Sequence, residues 1–149
     1  MVCEGTVDAF LGEYKHSLDA KGRVILPADF RPPLAAGAVL GVGKHNCLVV
    51  YTQEGWQRVS ERVQEIARNG DDEFAAARAF FAGARPVTPD GQGRVPIPEN
   101  LREYAGLTRD VVVTGMSSFI EIWDAEKWRE QKAQGQSTLA AAATLPGFF

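Results

Sequence analysis

The sequence predicts an α+β fold made of two related β units in one chain, with helices packed outside them. The main observation is an internal repeat, since one block of residues occurs twice with identical spacing. The repeated residues are Asp19, Gly22, Arg23, Pro27 and Arg31 in the first copy and Asp90, Gly93, Arg94, Pro98 and Arg102 in the second. Two copies favour a pseudo-twofold pair of units, because stacked repeat arrays generally need three or more.

A second match follows the first in each copy and supports the same conclusion. A glycine, an aromatic residue and a tryptophan recur in the same order, at an offset one residue longer than that of the first block. They are Gly43, Tyr51 and Trp56, and then Gly115, Trp123 and Trp128. With 149 residues and 45% hydrophobic content, the chain has the size and composition of one ordinary domain.

Each repeated block begins with a polar turn that contains Gly22 or Gly93, because glycine permits a positive φ that other residues resist. A short apolar strand follows each turn. In the first copy the strand ends at Pro27, which cannot donate a hydrogen bond to a sheet. In the second copy Pro89 and Pro96 remove two backbone donors, which predicts an edge strand.

The two copies are expected to differ in the segment that comes next. A helix is predicted over 99–105, because Pro98 precedes it, acidic residues come early and Gly106 can end it. In the first copy Pro32 and Pro33 interrupt the corresponding segment. Proline disfavours a helical conformation at the residue before it, so we expect no more than about one helical turn there.

A hairpin of two apolar strands is then predicted in each copy, over 39–42 with 47–51 and over 111–113 with 119–123. Short loops that contain glycine and polar residues join the paired strands. The sequence therefore predicts three strands for each copy.

Helices are predicted between the copies and after the second one. Thr52 is expected to cap a helix whose apolar residues recur at intervals of three and four, and a second helix is predicted over 74–81. Asp124 is expected to cap a last helix through Trp128. After that helix, 134–137 has the composition of a linker, and the remaining residues are expected to form a loose tail.

The net charge of −3 argues against a protein that coats nucleic acid indiscriminately, because such binding depends on basic surface that meets phosphate. Basic residues nevertheless cluster in the repeated blocks, whereas many acids lie between the copies and near the C-terminus. The basic residues are Lys15, Lys21, Arg23 and Arg31 in the first copy and Arg85, Arg94 and Arg102 in the second. A local basic face is therefore expected.

Other classes of protein are not indicated. No apolar run approaches the roughly 20 residues that span a bilayer, and no signal peptide is recognisable, so we expect a cytoplasmic protein without a membrane partner. Cys3 and Cys47 lack CxxC spacing and are expected to be structural or incidental. No catalytic spacing is recognisable, and 41–45 lacks the spacing and final Ser or Thr of a P-loop. We therefore predict neither an enzyme nor a cofactor, metal or small-molecule substrate.

The pattern Asp-x-x-Gly-Arg-apolar-x-x-Pro, present twice in one short chain, resembles the MraZ family. The resemblance covers about residues 10–130 and includes the segments 11–14, before the first block, and 119–124, near the end. It implies two swapped-hairpin units of the SpoVT/AbrB type and a ring-like homo-oligomer. It also implies a transcriptional regulator on the nucleoid that binds short repeats in the promoter of the division and cell wall gene cluster. The partner expected from it is double-stranded promoter DNA.

The same resemblance implies that the last residues of the two DxxxR motifs, Arg23 and Arg94, contact DNA, with Lys21 beside the first. Arginine suits this role because its rigid fork pairs with guanine O6 and N7 or clamps a phosphate. Arg31 and Arg102 recur with the motifs and are also candidate DNA contacts. Their open alternative is an ion pair with an acid of the helix that each one follows.

Asp19 and Asp90, four residues before the motif arginines, are expected to orient those arginines rather than to touch an anionic polymer. Together with Gly22 and Gly93 they are predicted to fix the two turns. Gln92 stands where the first copy has a lysine, so the second copy contributes less charge. The first copy is therefore expected to supply more of the attraction to phosphate.

We predict the first repeat over 10–56, a helical connector over 57–83, the second repeat over 84–128 and a C-terminal helix end and tail over 129–149. Two other functions remain open. Small SpoVT/AbrB domains also serve as DNA-binding partners of toxins, although the duplication with both copies intact argues against an antitoxin. A purely structural ring protein is the third possibility.

Overall fold

The computed structural model describes residues 9–148 and contains eight strands and four α-helices among them. The strands are β1 (Glu13–Ser17), β2 (Arg23–Ile25), β3 (Ala38–Val42), β4 (Leu48–Thr52), β5 (Arg85–Val87), β6 (Arg94–Pro96), β7 (Asp110–Gly115) and β8 (Phe119–Asp124). The helices are α1 (Gln53–Ala67), α2 (Asp71–Gly83), α3 (Glu99–Ala105) and α4 (Ala125–Ala142). Mixed helices and antiparallel strands confirm the predicted α+β class.

The strands form two sheets, and both are organised around one pseudo-twofold axis. Six strands make an antiparallel sheet in the order β1-β7-β8-β4-β3-β5, and β2 pairs with β6 in a separate two-stranded ribbon. In the ribbon Val24 is paired with Val95, and at the centre of the large sheet Val49 is paired with Glu121. Each pair joins equivalent positions of the two copies, so the axis passes through both sheets.

The copies exchange strands with each other. Strand β1 precedes the first repeated block but pairs with β7 of the second copy, from Glu13 opposite Thr114 to Ser17 opposite Asp110. Strand β5 precedes the second block and pairs with β3 of the first copy. Neither copy can complete its part of the sheet alone, so the two copies form one cooperative unit.

The main core lies between the ribbon and one face of the large sheet. Val24 and Val95 have no exposed surface, and Leu48, Val50 and Ile120 of the central strands are equally buried. Because side chains alternate along a strand, the neighbouring residues of β2 and β6 must face the solvent. Burial of this apolar core therefore fixes which side of the ribbon is outward.

Helices cover the opposite face of the large sheet. On this face the indole of Trp56 from α1 stacks on Phe80 of α2 at 5.5 Å between ring centroids, and Trp123 of β8 contacts Trp128 of α4 at 6.0 Å. Trp123 is buried and the other two tryptophans are half-buried. No helix within residues 9–148 is long and apolar enough to cross a membrane.

The segments after the two ribbon strands differ as the sequence predicts. Helix α3 ends at Gly106, which has φ 64°, whereas the first copy has only two short 3₁₀ turns at Ala28–Phe30 and Pro32–Leu34. The predicted caps of α1 and α4 are also confirmed. The side chain of Thr52 accepts a hydrogen bond from the Gly55 amide, and that of Asp124 accepts one from the Lys127 amide.

The predicted linker and loose tail are wrong in part, because α4 continues without interruption to Ala142. The glycine, glutamine and serine residues over 134–137 lie inside this helix. An isolated glycine costs a helix interior only about 1 kcal/mol relative to alanine, and the alanine-rich sequence that follows has the strongest helix propensity. Local composition around Gly135 is therefore outweighed by the propensity of its neighbours.

Candidate nucleic-acid interface

A tight turn built on Asp19 leads into β2. One carboxylate oxygen of Asp19, Oδ1, accepts hydrogen bonds from the backbone amides of Lys21 and Arg23, both at 2.9 Å. The other oxygen, Oδ2, accepts from Nε of Arg23 at 2.7 Å. The Gly22 amide donates to the carbonyl of Asp19 at 3.0 Å, and Gly22 has φ 72°. One carboxylate thus shapes the backbone and holds the arginine.

The turn before β6 repeats this arrangement atom for atom. Oδ1 of Asp90 accepts from the amides of Gln92 and Arg94 at 2.9 Å, and Oδ2 accepts from Nε of Arg94 at 2.6 Å. Gly93 has φ 79°, and its amide donates to the carbonyl of Asp90. The predicted orienting role of the two aspartates and the two glycines therefore has the same geometric basis in both copies.

Both motif carboxylates are held in the ionised form. The pKa of Asp90 is lowered to about 2, chiefly by the hydrogen bond from the Arg94 amide and also by the Arg94 side chain. The pKa of Asp19 is lowered for the same reason by Arg23. At neutral pH the ionised carboxylate therefore accepts a hydrogen bond from Nε of each arginine. This bond fixes the orientation of the arginine side chain in the free protein.

The ribbon presents the two motif arginines on one outward face. Arg23 lies opposite Pro96, and Arg94 lies opposite Ile25, on the side away from the buried valines. The two arginines are diagonal neighbours across the strand pair, a relation that puts their positions about 7–8 Å apart. Their side chains are 25% and 31% exposed. They can therefore reach one ligand together.

The chemistry of this face fits an anionic, extended ligand. Each arginine donates through Nε to its own aspartate, and within residues 9–148 its terminal nitrogens have no protein acceptor. These nitrogens form the fork that pairs with guanine or with phosphate. The major groove of B-DNA is wide enough to admit a two-stranded β-ribbon. The shape of this ribbon and the positive charge of its two arginines are complementary to such a groove.

Arg31 and Arg102 occupy a different environment from the motif arginines. Both are half-buried. Nε of Arg31 donates to the carbonyl of Leu26 at 3.0 Å, and Nη1 of Arg102 donates to the carbonyl of Ile97. Neither takes part in an ion pair within the described part of the chain. Their guanidinium groups lie instead against the glycine turns.

The two turns carry different side chains at their tips. Lys21 is exposed at the tip of the first turn, and Gln92 occupies the same position in the second turn. Ile25 is a residue of this face that the sequence reasoning missed, since it is 40% exposed directly opposite Arg94. The alternation of buried Val24 with its neighbours was the available signal. An exposed isoleucine between two arginines adds an apolar contact surface, such as a thymine methyl could use.

Neither a reactive cysteine nor a metal site is found in the described residues. Cys3 lies outside residues 9–148, and Cys47 is fully buried. Burial, with the Glu121 carboxylate nearby, raises the pKa of the Cys47 thiol far above its ordinary value. No group of three or more His, Cys, Asp or Glu residues within 9–148 could hold a metal ion. The ribbon face therefore remains the candidate site.

Comparison with known proteins gives consistent matches over nearly the whole chain. The family model "MraZ protein, putative antitoxin-like" matches twice, over residues 9–78 and 80–147. A protein named transcriptional regulator MraZ from Acetivibrio thermocellus is 48% identical over 80% of this chain and 83% of its own length. The proteins of that name from Natranaerobius thermophilus and Leifsonia xyli are 43% and 42% identical, over 87% and 94% of this chain and 90% and 99% of their own lengths.

Proposed function

Because the chain belongs to the MraZ family of transcriptional regulators, we propose that it regulates transcription by binding promoter DNA in a sequence-specific way. The proposed contacts are Arg23 and Arg94, with Lys21 beside the first. The matched relatives carry the name of a regulator and not that of an enzyme, in agreement with the prediction that this chain is no enzyme.

The observation that carries this proposal is the outward face of the ribbon. It brings two arginines from distant parts of the sequence to diagonal positions, each held through Nε and each with its terminal nitrogens available. A bidentate contact between arginine and guanine contributes about 1–3 kcal/mol of discrimination between bases. Two pre-organised arginines on one ribbon therefore supply direct readout of a short site.

One ribbon is a small binding surface, and this is the reason to propose a homo-oligomer. Several subunits on repeated short sites act together at a high effective concentration, which increases affinity about a hundredfold or more without a new type of contact. The exchange of β1 and β5 between the copies supports the swapped-hairpin architecture of the SpoVT/AbrB type. We extend the proposal to a ring-like assembly on the nucleoid, at the promoter of the division and cell wall gene cluster.

The test is a titration of a labelled promoter fragment with the full chain, followed by fluorescence anisotropy at several salt concentrations. Wild type is compared with the double variant Arg23→Ala, Arg94→Ala and with scrambled DNA as competitor. The matched control is Arg68→Ala, Arg129→Ala, which removes two exposed arginines, one directly after α1 and one in α4, on the opposite face of the sheet. We expect the motif variant to lose at least about tenfold in affinity and the control to retain specific binding.

The alternatives predict different results in this titration, in the purification and in a measurement of assembly. The family description includes the term antitoxin-like, and a toxin that co-purifies with the chain would favour that function. Assembly that persists while the motif variant binds DNA as wild type does would favour a structural scaffold. Equal binding to promoter and scrambled DNA would contradict sequence-specific readout by the ribbon.

A further inference from the structure

The half-buried arginines that follow the ribbon strands make contacts that cross from one copy to the other. A Cβ atom at Gly22 would overlap the guanidinium of Arg102 and lie 3.0 Å from its Cζ. A Cβ atom at Gly93 would overlap the guanidinium of Arg31 and lie 2.5 Å from its Cζ. Each copy therefore packs its arginine against the glycine turn of the other copy.

Backbone hydrogen bonds close this contact into a small network. The amide of Ile97 donates to the carbonyl of Gly22 at 3.0 Å, while the carbonyl of Ile97 accepts from Arg102. In the arrangement related to this one by the pseudo-twofold axis, the amide of Leu26 donates to the carbonyl of Gly93 at 2.8 Å. The carbonyl of Leu26 accepts from Arg31. One residue thus links each arginine to the opposite turn.

The two arginines reach equivalent places although they come from different local structures. Arg102 lies in the α-helix α3, whereas Arg31 lies between the 3₁₀ turns Ala28–Phe30 and Pro32–Leu34. Both nevertheless donate to the carbonyl five residues earlier and cover the opposite glycine. The contact of the guanidinium is thus the same in both copies, although the chain after the arginine continues as a helix in one copy and as a second 3₁₀ turn that begins at Pro32 in the other.

We infer that Arg31 and Arg102 are positioning residues that act across the pseudo-twofold axis: Arg102 holds the turn that carries Arg23, and Arg31 holds the turn that carries Arg94. This inference rests on the proposed DNA-binding function and assigns the two arginines a role other than direct contact. Because each turn depends on the other copy, damage to one copy weakens DNA readout by the other. The two motif arginines thereby act as one unit.

The first experiment measures DNA affinity in a crossed set of variants. Arg102→Gln and Arg31→Gln are each made in wild type, in Arg23→Ala and in Arg94→Ala, with Arg68→Gln as the control for loss of one positive charge. Arg102→Gln is expected to weaken specific binding about tenfold in wild type and in Arg94→Ala, and to add little in Arg23→Ala. Arg31→Gln should show the opposite dependence.

Salt dependence separates positioning from direct contact. The log of the affinity falls linearly with the log of the salt concentration. Loss of a residue that neutralises one phosphate makes this line shallower by about 0.9. We expect both glutamine variants to keep the wild-type slope. A line shallower by that amount would overturn the inference. So would an equal loss of DNA affinity in the Arg23→Ala and Arg94→Ala backgrounds, or no loss of affinity at all.

A second experiment needs no DNA and uses the free protein. Amide hydrogen exchange is expected to accelerate about 5–30-fold at Gly22 and Arg23 in Arg102→Gln, and at Gly93 and Arg94 in Arg31→Gln. Exchange that accelerates at the turn of the same copy, or equally at both turns, would overturn the inference. The thermal unfolding midpoint identifies a variant that has lost its fold, and Arg102→Lys and Arg31→Lys then replace the glutamine variants.

The two experiments also distinguish failure of the inference from failure of the proposed function. Wild type that does not bind the promoter fragment would reject DNA readout, and with it any positioning of DNA contacts. If amide exchange nevertheless accelerates at the turn of the opposite copy, the two arginines couple the turns structurally but have no role in DNA binding. Wild type that binds, with variants whose losses are not crossed, would reject the inference and leave the proposed function intact.

Discussion

The two copies agree at the turn and differ in the segment that follows it. In both, an aspartate accepts the same three hydrogen bonds and a glycine with positive φ completes the turn. After the ribbon strand, one copy has the helix α3 and the other has two 3₁₀ turns on either side of Arg31. The difference shows that the hydrogen bonds of the turn are maintained while the segment after the ribbon strand varies.

The largest effect is expected from the core residues that anchor the differing segments. Phe30 and Leu101 occupy equivalent positions, and both are almost fully buried. Phe30 also makes edge-to-face contacts with Phe10 and Tyr14, each at 5.3 Å between centroids. We expect Phe30→Ala to lower the free energy of unfolding by about 3–5 kcal/mol, and Leu101→Ala by less, in urea titrations. A larger loss in Leu101→Ala would mean that the 3₁₀ segment is the less important anchor.

The glycines of the turns should give the next largest effect. Ala at Gly93 must adopt a left-handed backbone, at a cost of about 1–2 kcal/mol, and must displace Cδ and Cζ of Arg31. At Gly22 the overlap involves only the outer part of the Arg102 side chain, which can move more easily. Thermal unfolding should therefore show a greater loss for Gly93→Ala than for Gly22→Ala.

Gly91 provides the control for the glycine variants. An added Cβ there would meet nothing within 4 Å, and the first copy has Ala20 at the equivalent position. We expect Gly91→Ala to be neutral or to stabilise the chain by up to about 1 kcal/mol, because it restricts the unfolded chain. Destabilisation by Gly91→Ala comparable to that of Gly93→Ala would contradict the explanation by positive φ and overlap.

A smaller effect is expected from the charge difference at the tips of the turns. Gln92→Lys gives the second turn the charge of the first and should raise DNA affinity. The dependence of log affinity on log salt should become steeper by about 0.9 if the new lysine neutralises one phosphate. Lys21→Gln should do the reverse. The combined swap should restore the wild-type slope, if charge alone distinguishes the two tips. Anisotropy titrations across salt measure all three variants.

The ranking of the two motifs can be tested with the same titrations. The first copy is expected to supply more of the phosphate attraction, so Lys21→Ala, Arg23→Ala should weaken binding more than Arg94→Ala. The physical reason is the extra lysine, which has no counterpart in the second copy. A greater loss in Arg94→Ala would reverse this ranking and give the second motif the larger share.

The smallest effect is expected from the pH dependence of the aspartates. The unfolded pKa of Asp90 is about 3.9 and its folded pKa is about 2, so the unfolded chain binds more protons between these values. The stabilisation by this carboxylate is therefore complete above about pH 4 and is lost as the pH falls towards about 2. Asp90→Asn, which keeps the Oδ1 acceptor, should lie below wild type in stability at pH 6 and converge with it near pH 2.

Chemical denaturation at the two pH values measures this convergence. Because other carboxylates titrate in both proteins, only the difference between wild type and variant is informative. Asp19→Asn is expected to change in the same direction, since the pKa of Asp19 is also lowered by its hydrogen bonds. A difference that stays constant from pH 6 to pH 2 would contradict a role for the ionised form.

Much of the fold could be predicted because its signals are local. Glycine 106 and the prolines at 32 and 33 act through backbone sterics, and the caps Thr52 and Asp124 act within one helical turn. The incorrect prediction over 134–137 has the same origin, because the helix propensity of the neighbouring residues outweighs a short polar segment. Local rules thus explain the correct caps and breaks and the error in α4, whereas β1 and β5, which make a fourth strand in each copy, are not among the three strands predicted for it.

The sequence by itself determined the duplicated turns, because an aspartate, a glycine and an arginine at fixed spacing close their hydrogen bonds within five residues. Only the tertiary structure decided the partners across the copies: β1 with β7, β5 with β3, and Arg31 and Arg102 with the opposite glycines. Such contacts join residues far apart in the chain. They depend on which apolar faces are buried together, and the spacing of residues within one copy contains no information about the other copy's position.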